Sequence, residues 1–339
     1  MSHEVETMAY AYDAKKATGD FWSDNAYEHP WHKDMTGDKS VAVNPDMSPA
    51  EMLKKAGLDW KVERAPAYIT TQDNTEVPTG QHVIYRDKDN KILTPCSPNW
   101  CVTQPSDFAD FFAEFCAEGS MEMNTMGSLM QGKRLFALAR VKDEEFSLFR
   151  GKDVVQAYFL FSMPYIYGEA LDLRFTPTRV VCWNTLSMAI DKKANENLGV
   201  RVSHRKEFDP EAVKEVLGIA QTKMAGYKEA AEYLASKRFS VDKLKEYYAT
   251  VFPKRGQDPA KDKVLELGKP AQLAMDMLEI QPGAELGEGS WWQAYNAATY
   301  AVDHKFSRTD EKRMDSAWFG NGKNMKTKAL TTALKFADA

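Results

Sequence analysis

The sequence predicts an α+β fold: a largely antiparallel sheet from about Trp60 to Trp183, backed by helices, with a helical C-terminal portion packed on it. Three observations lead there. Apolar and polar residues alternate at period two through several runs in the middle of the chain, as half-buried strands require. Helical patterns border those runs on each side, which is the arrangement of an α+β domain. From Pro210 onward the period becomes helical, and no Gly/Ser-rich linker separates the two parts. The expected organisation is an acidic, aromatic N-terminal arm over 1–39, a sheet core over 40–208 and helices over 209–339.

Taken in order, the first 39 residues mix Tyr10, Tyr12, Phe21, Trp22, Tyr27 and Trp31 with many acids and hold no sustained period. They read as a docking arm that contributes little to the core. Ser48 to Gly57 has Ser at the N-cap, Pro at the first helical position, Glu three residues after the cap and a closing Gly, so a short helix is expected. Asp59 to Thr71 alternates toward a strand, and Gln81 to Arg86, Asp87 to Asn90 and Lys91 to Leu93 form a hairpin pattern. Ser106 to Ala117 places Phe108, Phe111, Phe112 and Phe115 on one helical face, which is a core stripe. Met121 to Leu129 and Lys133 to Val141 read as strands joined near Gln131-Gly132, and Asp153 to Ser162 and Glu169 to Trp183 as another pair. Glu211 to Ser236, Val241 to Val251, Ala271 to Glu279 and Trp291 to Lys305 read as helices, with a Gly- and Pro-broken loop over Pro253 to Pro259.

At 339 residues and 43% hydrophobic content the chain can bury a substantial core. A mean hydropathy of -0.51 and the lack of any apolar run near the ~18 residues of a bilayer span predict no membrane helix. The first residues lack the apolar core of a signal peptide, and four cysteines are too few for a disulfide scaffold, so a location in the host-cell cytoplasm is expected. The net charge of -5 is concentrated before Arg64, where 12 acids face seven lysines. That acidic front argues against coating duplex DNA by bulk charge, because nonspecific affinity comes from neutralised phosphates.

The stretch T-P-T-R-V-V-C-W-N-T-L-S-M-A-I, Thr176 to Ile190, changes period halfway. It predicts a strand ending near Trp183 that feeds a helix capped by Asn184, with Arg179, Asn184 and Thr185 beside a helix N-terminus that favours an anion. Capping alone also accounts for the Asn. Between Trp291 and His304, Trp292, Asn296, Thr299 and Asp303 fall on one helical face, with Tyr295 beside them. That face suits either a helix packed on the sheet with satisfied polar groups or a platform for stacking bases.

A basic set follows: Arg201, His204, Arg205 and Lys206, then a tail from Lys305 to Lys328 with a balance of +4. The run G-N-G-K-N-M-K-T-K, Gly320 to Lys328, offers small residues for a phosphate approach and Lys323, Lys326 and Lys328 to neutralise it. A solvated basic face is the alternative. Cys96, Cys101 and His82 only loosely match a metal knuckle, and His32 has no partner in the pattern. No P-loop, G-x-S-x-G, H-E-x-x-H or dinucleotide fingerprint occurs, so neither a cofactor nor enzymatic chemistry is expected.

The runs R-V-V-C-W-N-T-L, G-S-W-W-Q-A-Y-N-A-A-T-Y-A-V-D-H and G-S-L-M-Q-G-K-R-L-F-A-L-A-R together resemble the phage- and plasmid-borne family labelled domain of unknown function 932. The likeness is collinear from about Trp31 to about Leu330. Two details depart from the family pattern: S-M-P-Y-I-Y-G-E-A stands in place of a short Asp-Gly turn, and Cys96 and Cys101 flank a loop that commonly lacks both. The resemblance implies a mobile-element setting beside recombination genes and a distant likeness to single-strand annealing proteins. With the basic tail it leads to the expected function, single-stranded nucleic-acid binding with annealing in recombination. The expected partners are single-stranded DNA, with RNA as the alternative, and further copies of the chain, a ring being one form. A protein-interaction or counter-defence role and a metal-dependent nuclease are the competing classes. The expected contacts are Arg179, Asn184, Arg201, His204, Arg205, Trp292, Asn296, Lys323, Lys326 and Lys328.

Overall fold

The structure is a computed structural model and describes residues 8–11, 40–43, 48–119, 121–169, 171–181, 184–186, 188–189, 210–259, 261–262, 264–306 and 310–339. The elements are β1 (Met8–Ala11), β2 (Ser40–Val43), α1 (Pro49–Lys55), β3 (Val62–Thr70), β4 (Glu76–Arg86), β5 (Ile92–Cys96), α2 (Pro105–Glu118), β6 (Met121–Leu129), β7 (Arg134–Leu148), β8 (Asp153–Pro164), β9 (Asp172–Arg179), β10 (Asn184–Thr185) and β11 (Met188–Ala189), then the helices α3 (Pro210–Ser236), α4 (Val241–Val251), α5 (Lys269–Ile280), α6 (Trp291–His304), α7 (Asp310–Trp318) and α8 (Asn321–Asp338). This is an α+β fold with a helical C-terminal region. One sheet runs β10-β9-β8-β7-β6-β1-β2 with β11 also on β9, and a second runs β3-β4-β5. The pairs β1–β6, β6–β7, β9–β10, β3–β4 and β4–β5 are antiparallel, and β1–β2 is parallel.

The chain divides into two compact units, Met1–Lys142 with Phe159–Arg174 and Ala189–Leu217, and Asp143–Tyr158 with Phe175–Met188 and Gly218–Ala339. Their boundaries fall inside β7, β8, β9, β11 and α3, so the two units are interleaved along the chain. The C-terminal helices form a unit with strand segments drawn from far earlier in the chain. Part of the expected N-terminal arm also differs, because Met8–Tyr10 pair with Thr125–Gly127 and add β1 to the sheet. The rest of that arm lies outside the described residues.

In the first unit, Ser48 caps α1 through the reciprocal pair with Glu51 that the S-P-A-E run predicts. Helix α2 buries Phe108, Phe112 and Phe115, and the last two meet Phe161 edge to face at ring distances of 5.2 and 4.8 Å. Trp60 stacks near Tyr165 at 6.0 Å, the Arg86 guanidinium lies 5.4 Å from the Trp60 ring centre, and Tyr165 donates to the Thr103 carbonyl at 2.8 Å. The S-M-P-Y-I-Y-G-E-A segment is therefore anchored by Tyr165. Strand β3 lies within the expected Asp59 to Thr71, β4 begins earlier than the expected Gln81, and the outer ends of β3 and β4 form a two-stranded ribbon.

The second unit is centred on α6. Twelve of its 14 residues are buried, and the other two, Tyr300 and His304, are half-buried. Helices α5, α7 and α8 and strand β10 pack against it. Ser290 caps it, accepting from Gln293 N at 3.3 Å.

Candidate functional site

The predicted strand-to-helix junction is a hairpin. After β9 ends at Arg179 the chain returns at once, and Asn184 and Thr185 pair back on Arg179 and Thr178. Leu186 and Ala189 share a helical spacing by coincidence of a short window, and Met188–Ala189 form a strand on β9. Asn184 is accordingly not a helix cap, and no helix N-terminus stands beside it, among the described residues, to hold an anion.

The polar residues of that hairpin instead point at α6, within one unit. Asp153 is fully buried and both its oxygens are occupied: Arg179 Nε donates to Oδ1 at 2.7 Å and Trp292 Nε1 donates to Oδ2 at 2.8 Å. Arg179 Nη2 also donates to the Gly283 carbonyl at 3.2 Å. Gly283 has φ +73°, and a Cβ there would stand 2.8 Å from Val181, so glycine lets the backbone approach the guanidinium. One turn along α6, Asn184 Nδ2 donates to Thr299 Oγ1 at 2.7 Å and to the Asn296 carbonyl at 2.9 Å, and Asn296 Nδ2 donates to the Trp292 carbonyl at 2.8 Å. Further on, Asp303 accepts from Thr185 N at 2.8 Å and from Lys326 Nζ at 2.6 Å, while Lys326 Nζ also donates to Thr185 Oγ1 at 2.8 Å.

Five predicted nucleic-acid contacts thus converge, but inward. Arg179, Asn184, Trp292, Asn296 and Lys326 are each at most 5% exposed. Buried polar groups need partners, and these side chains spend their donors within the protein, which leaves none facing a phosphate. Arg179 is in a buried ion pair, with Asp153 as its acid. Burial raises the Asp303 carboxyl above its usual range, with Lys326 acting against that rise, and burial lowers the Lys326 ammonium.

The G-N-G-K-N-M-K-T-K run is helical from Asn321 onward, in α8. Its small residue serves packing: a Cβ on Gly322 would stand 2.9 Å from the Ser316 carbonyl and 3.0 Å from Val302. Lys323 is half-buried, and exposed Lys328 donates to the carbonyls of Thr250 and Val251 at the end of α4. Arg201, His204 and Arg205 lie outside the described residues.

A second constellation lies at the surface of the same unit, where α4 and α6 end. Phe252 and Phe306 meet edge to face at 5.1 Å. Tyr300 and His304 stack at 4.5 Å, and Lys305 Nζ is 5.8 Å from the Tyr300 ring centre. Lys305, Lys328 and Arg255 are exposed, Tyr300, His304 and Phe306 half-buried, and Lys254 is paired with Glu266. Sequence pattern passed over Tyr300 and His304 because it singled out the neighbouring polar face of α6. It also passed over Asp153, although that acid keeps phase with the buried Val155 and Ala157 of β8, a readable sign of a buried carboxylate.

Among the described residues, no group of three His, Cys, Asp or Glu side chains is placed to hold a metal ion, and no helix is long and apolar enough to cross a membrane. His82 and Cys96 are register partners, but Cys96 is buried and its thiol is pushed up by that burial, whereas Cys101 is exposed.

The family model described as Domain of unknown function (DUF932) matches residues 93–318, a span that holds all three sequence motifs and the whole polar network except Lys326. Neither the curated proteins nor the solved structures contain a match to the chain.

Proposed function

Since the chain belongs to the DUF932 family, whose description carries no activity, we propose from surface chemistry that it binds single-stranded nucleic acid, DNA first, and anneals complementary strands. The observation that supports this reading is the cluster at the ends of α4 and α6. It has half-buried Tyr300 stacked on His304 with exposed Lys305 near its ring, half-buried Phe306 on Phe252, Lys328 on the last carbonyls of α4 and exposed Arg255 just beyond them. Aromatic faces that stack bases, beside cations that follow a backbone, are what sequence-tolerant single-strand binding uses. Arg201, His204 and Arg205 stay in the proposal on charge alone, as a second contact. The five inward-facing residues are assigned to holding the fold and not to the strand.

Fluorescence anisotropy of a labelled oligonucleotide, titrated with protein over a range of salt, tests the reading. Native protein should bind with a negative salt slope. The double substitution Arg255→Glu and Lys305→Glu should weaken binding and reduce the slope by about 0.7 for each single-strand phosphate that those cations neutralise. Tyr300→Ala should cost about 1–3 kcal/mol if a base stacks there. Native protein that binds neither DNA nor RNA, or folded variants that bind as it does, would remove the proposal.

A further inference from the structure

The outer ribbon of β3 and β4, Pro66 to Gln81, is exposed along its length apart from half-buried Ala67 and Thr71. Tyr68 stands opposite Pro78, and Ile69 opposite Val77. Opposed residues share a face and successive residues alternate, so one face carries Tyr68 with Pro78 and the other carries Ile69 with Val77. Tyr68, Ile69 and Val77 are 54%, 55% and 40% exposed. A two-stranded ribbon is marginal in water by itself, and each face of this one offers a partner a single exposed apolar cross-strand pair. The open edges are unsuited to strand addition, because Pro66 and Pro78 each lack a backbone donor.

Charge narrows the occupant. The ribbon contains Asp73 and Glu76 and no Lys or Arg. The Asp73 carboxyl is held below its usual range by hydrogen bonds from Thr71 and Thr75. Such a tip repels phosphate and fits a surface that is cationic and aromatic together. The chain carries cations and aromatics of that kind itself: Lys305 lies by Tyr300, Lys328 reaches the last carbonyls of α4, exposed Arg255 follows that helix, and Phe252 at its end meets Phe306.

We infer that the ribbon of one copy docks on the cationic aromatic cluster of another copy. The contact joins unlike surfaces, so it propagates head to tail, closing into a ring where the rotation allows and otherwise extending as a filament. The ribbon and a nucleic-acid strand would compete for that surface, but assembly is measured without nucleic acid and the ribbon variants leave the cations in place, so its failure is distinguishable from a failure of oligonucleotide binding.

Sedimentation velocity of the nucleic-acid-free protein over a concentration series is the measurement. Native protein should associate, and association should weaken at high salt, because the charges at the rim are screened. Asp73→Lys with Glu76→Lys should leave monomer, and so should Arg255→Glu with Lys305→Glu. Mixing those two variants should restore assembly, since each reversed surface then meets an opposite charge. Ile69→Ser with Val77→Ser, whose changes are on exposed side chains, should also give monomer with an unchanged melting temperature. A native chain that stays monomeric at its highest soluble concentration overturns the inference. So does assembly that persists in the ribbon variants, or reversed variants that fail to complement.

Discussion

In the unit that holds α2, phenylalanines from helix and sheet meet edge to face, while in the unit that holds α6 an aromatic cluster around Trp291 and Tyr247 is accompanied by a polar core of two ion pairs and the side chains of Asn184, Asn296 and Thr299. The aromatic core is non-directional: each ring gains from whatever apolar surface surrounds it, and truncation costs in proportion to the surface and volume removed. The polar core is conditional. Its donors are stabilised only while particular acceptors, often more than 100 residues away in sequence, are in place. Such a core adds less net stability than its short distances suggest, because desolvation offsets the Coulomb gain. Removing one member is expensive, since the other remains buried without compensation.

The largest effect that tests this contrast is on Arg179. Arg179→Ala leaves the Asp153 carboxylate buried, with the Trp292 indole still donating to it, and should cost about 3–5 kcal/mol in denaturant unfolding. A loss below about 1 kcal/mol, within the range of an exposed pair, would show that water reaches Asp153 and would end the distinction between the cores.

Next is Lys326→Met, which should cost nearly as much near neutral pH and should also introduce a pH slope. Asp303 already has a raised folded-state value from burial, and removing the lysine raises it further. The folded state then holds a proton that the unfolded chain has released above the ordinary carboxylate range. Stability should therefore be greatest below that range and fall as pH rises toward the folded value, by up to about 1.4 kcal/mol per unit. Denaturation series at pH 5, 6 and 7 measure it, and adding Asp303→Asn should flatten the slope. A slope of the opposite sign would contradict the assignment of burial as the main influence on Asp303.

In the aromatic core, Phe161→Leu keeps most of the volume but removes the edge-to-face packing on Phe112 and Phe115, and should cost about 1–2 kcal/mol without any pH slope. The smallest effect is Ser48→Ala at the cap of α1, about 1 kcal/mol. Should the capping change exceed the core change, α1 would be holding more of its unit than its seven residues indicate.

Legible along the chain were the α+β class, the Phe stripe of α2, the capping box of α1, the succession of strands in the middle and the long C-terminal helices. These depend on side-chain period and local capping, which are written within a few residues of where they act. The stretches that matter were marked too, since R-V-V-C-W-N-T-L and W-W-Q-A-Y-N-A-A-T-Y-A-V-D-H do meet. Left open was the direction in which their polar groups point. Arg179 reads equally as a groove cation or as a buried partner until Asp153 is known to lie beside it. Gly320 to Lys328 reads as a phosphate approach until the close approach of Gly322 to Ser316 and Val302 explains a glycine inside α8. Tertiary structure decided those cases, because whether a charge faces water or a counter-charge depends on groups distant in sequence, and desolvation makes the two outcomes opposite in function while leaving the local pattern the same.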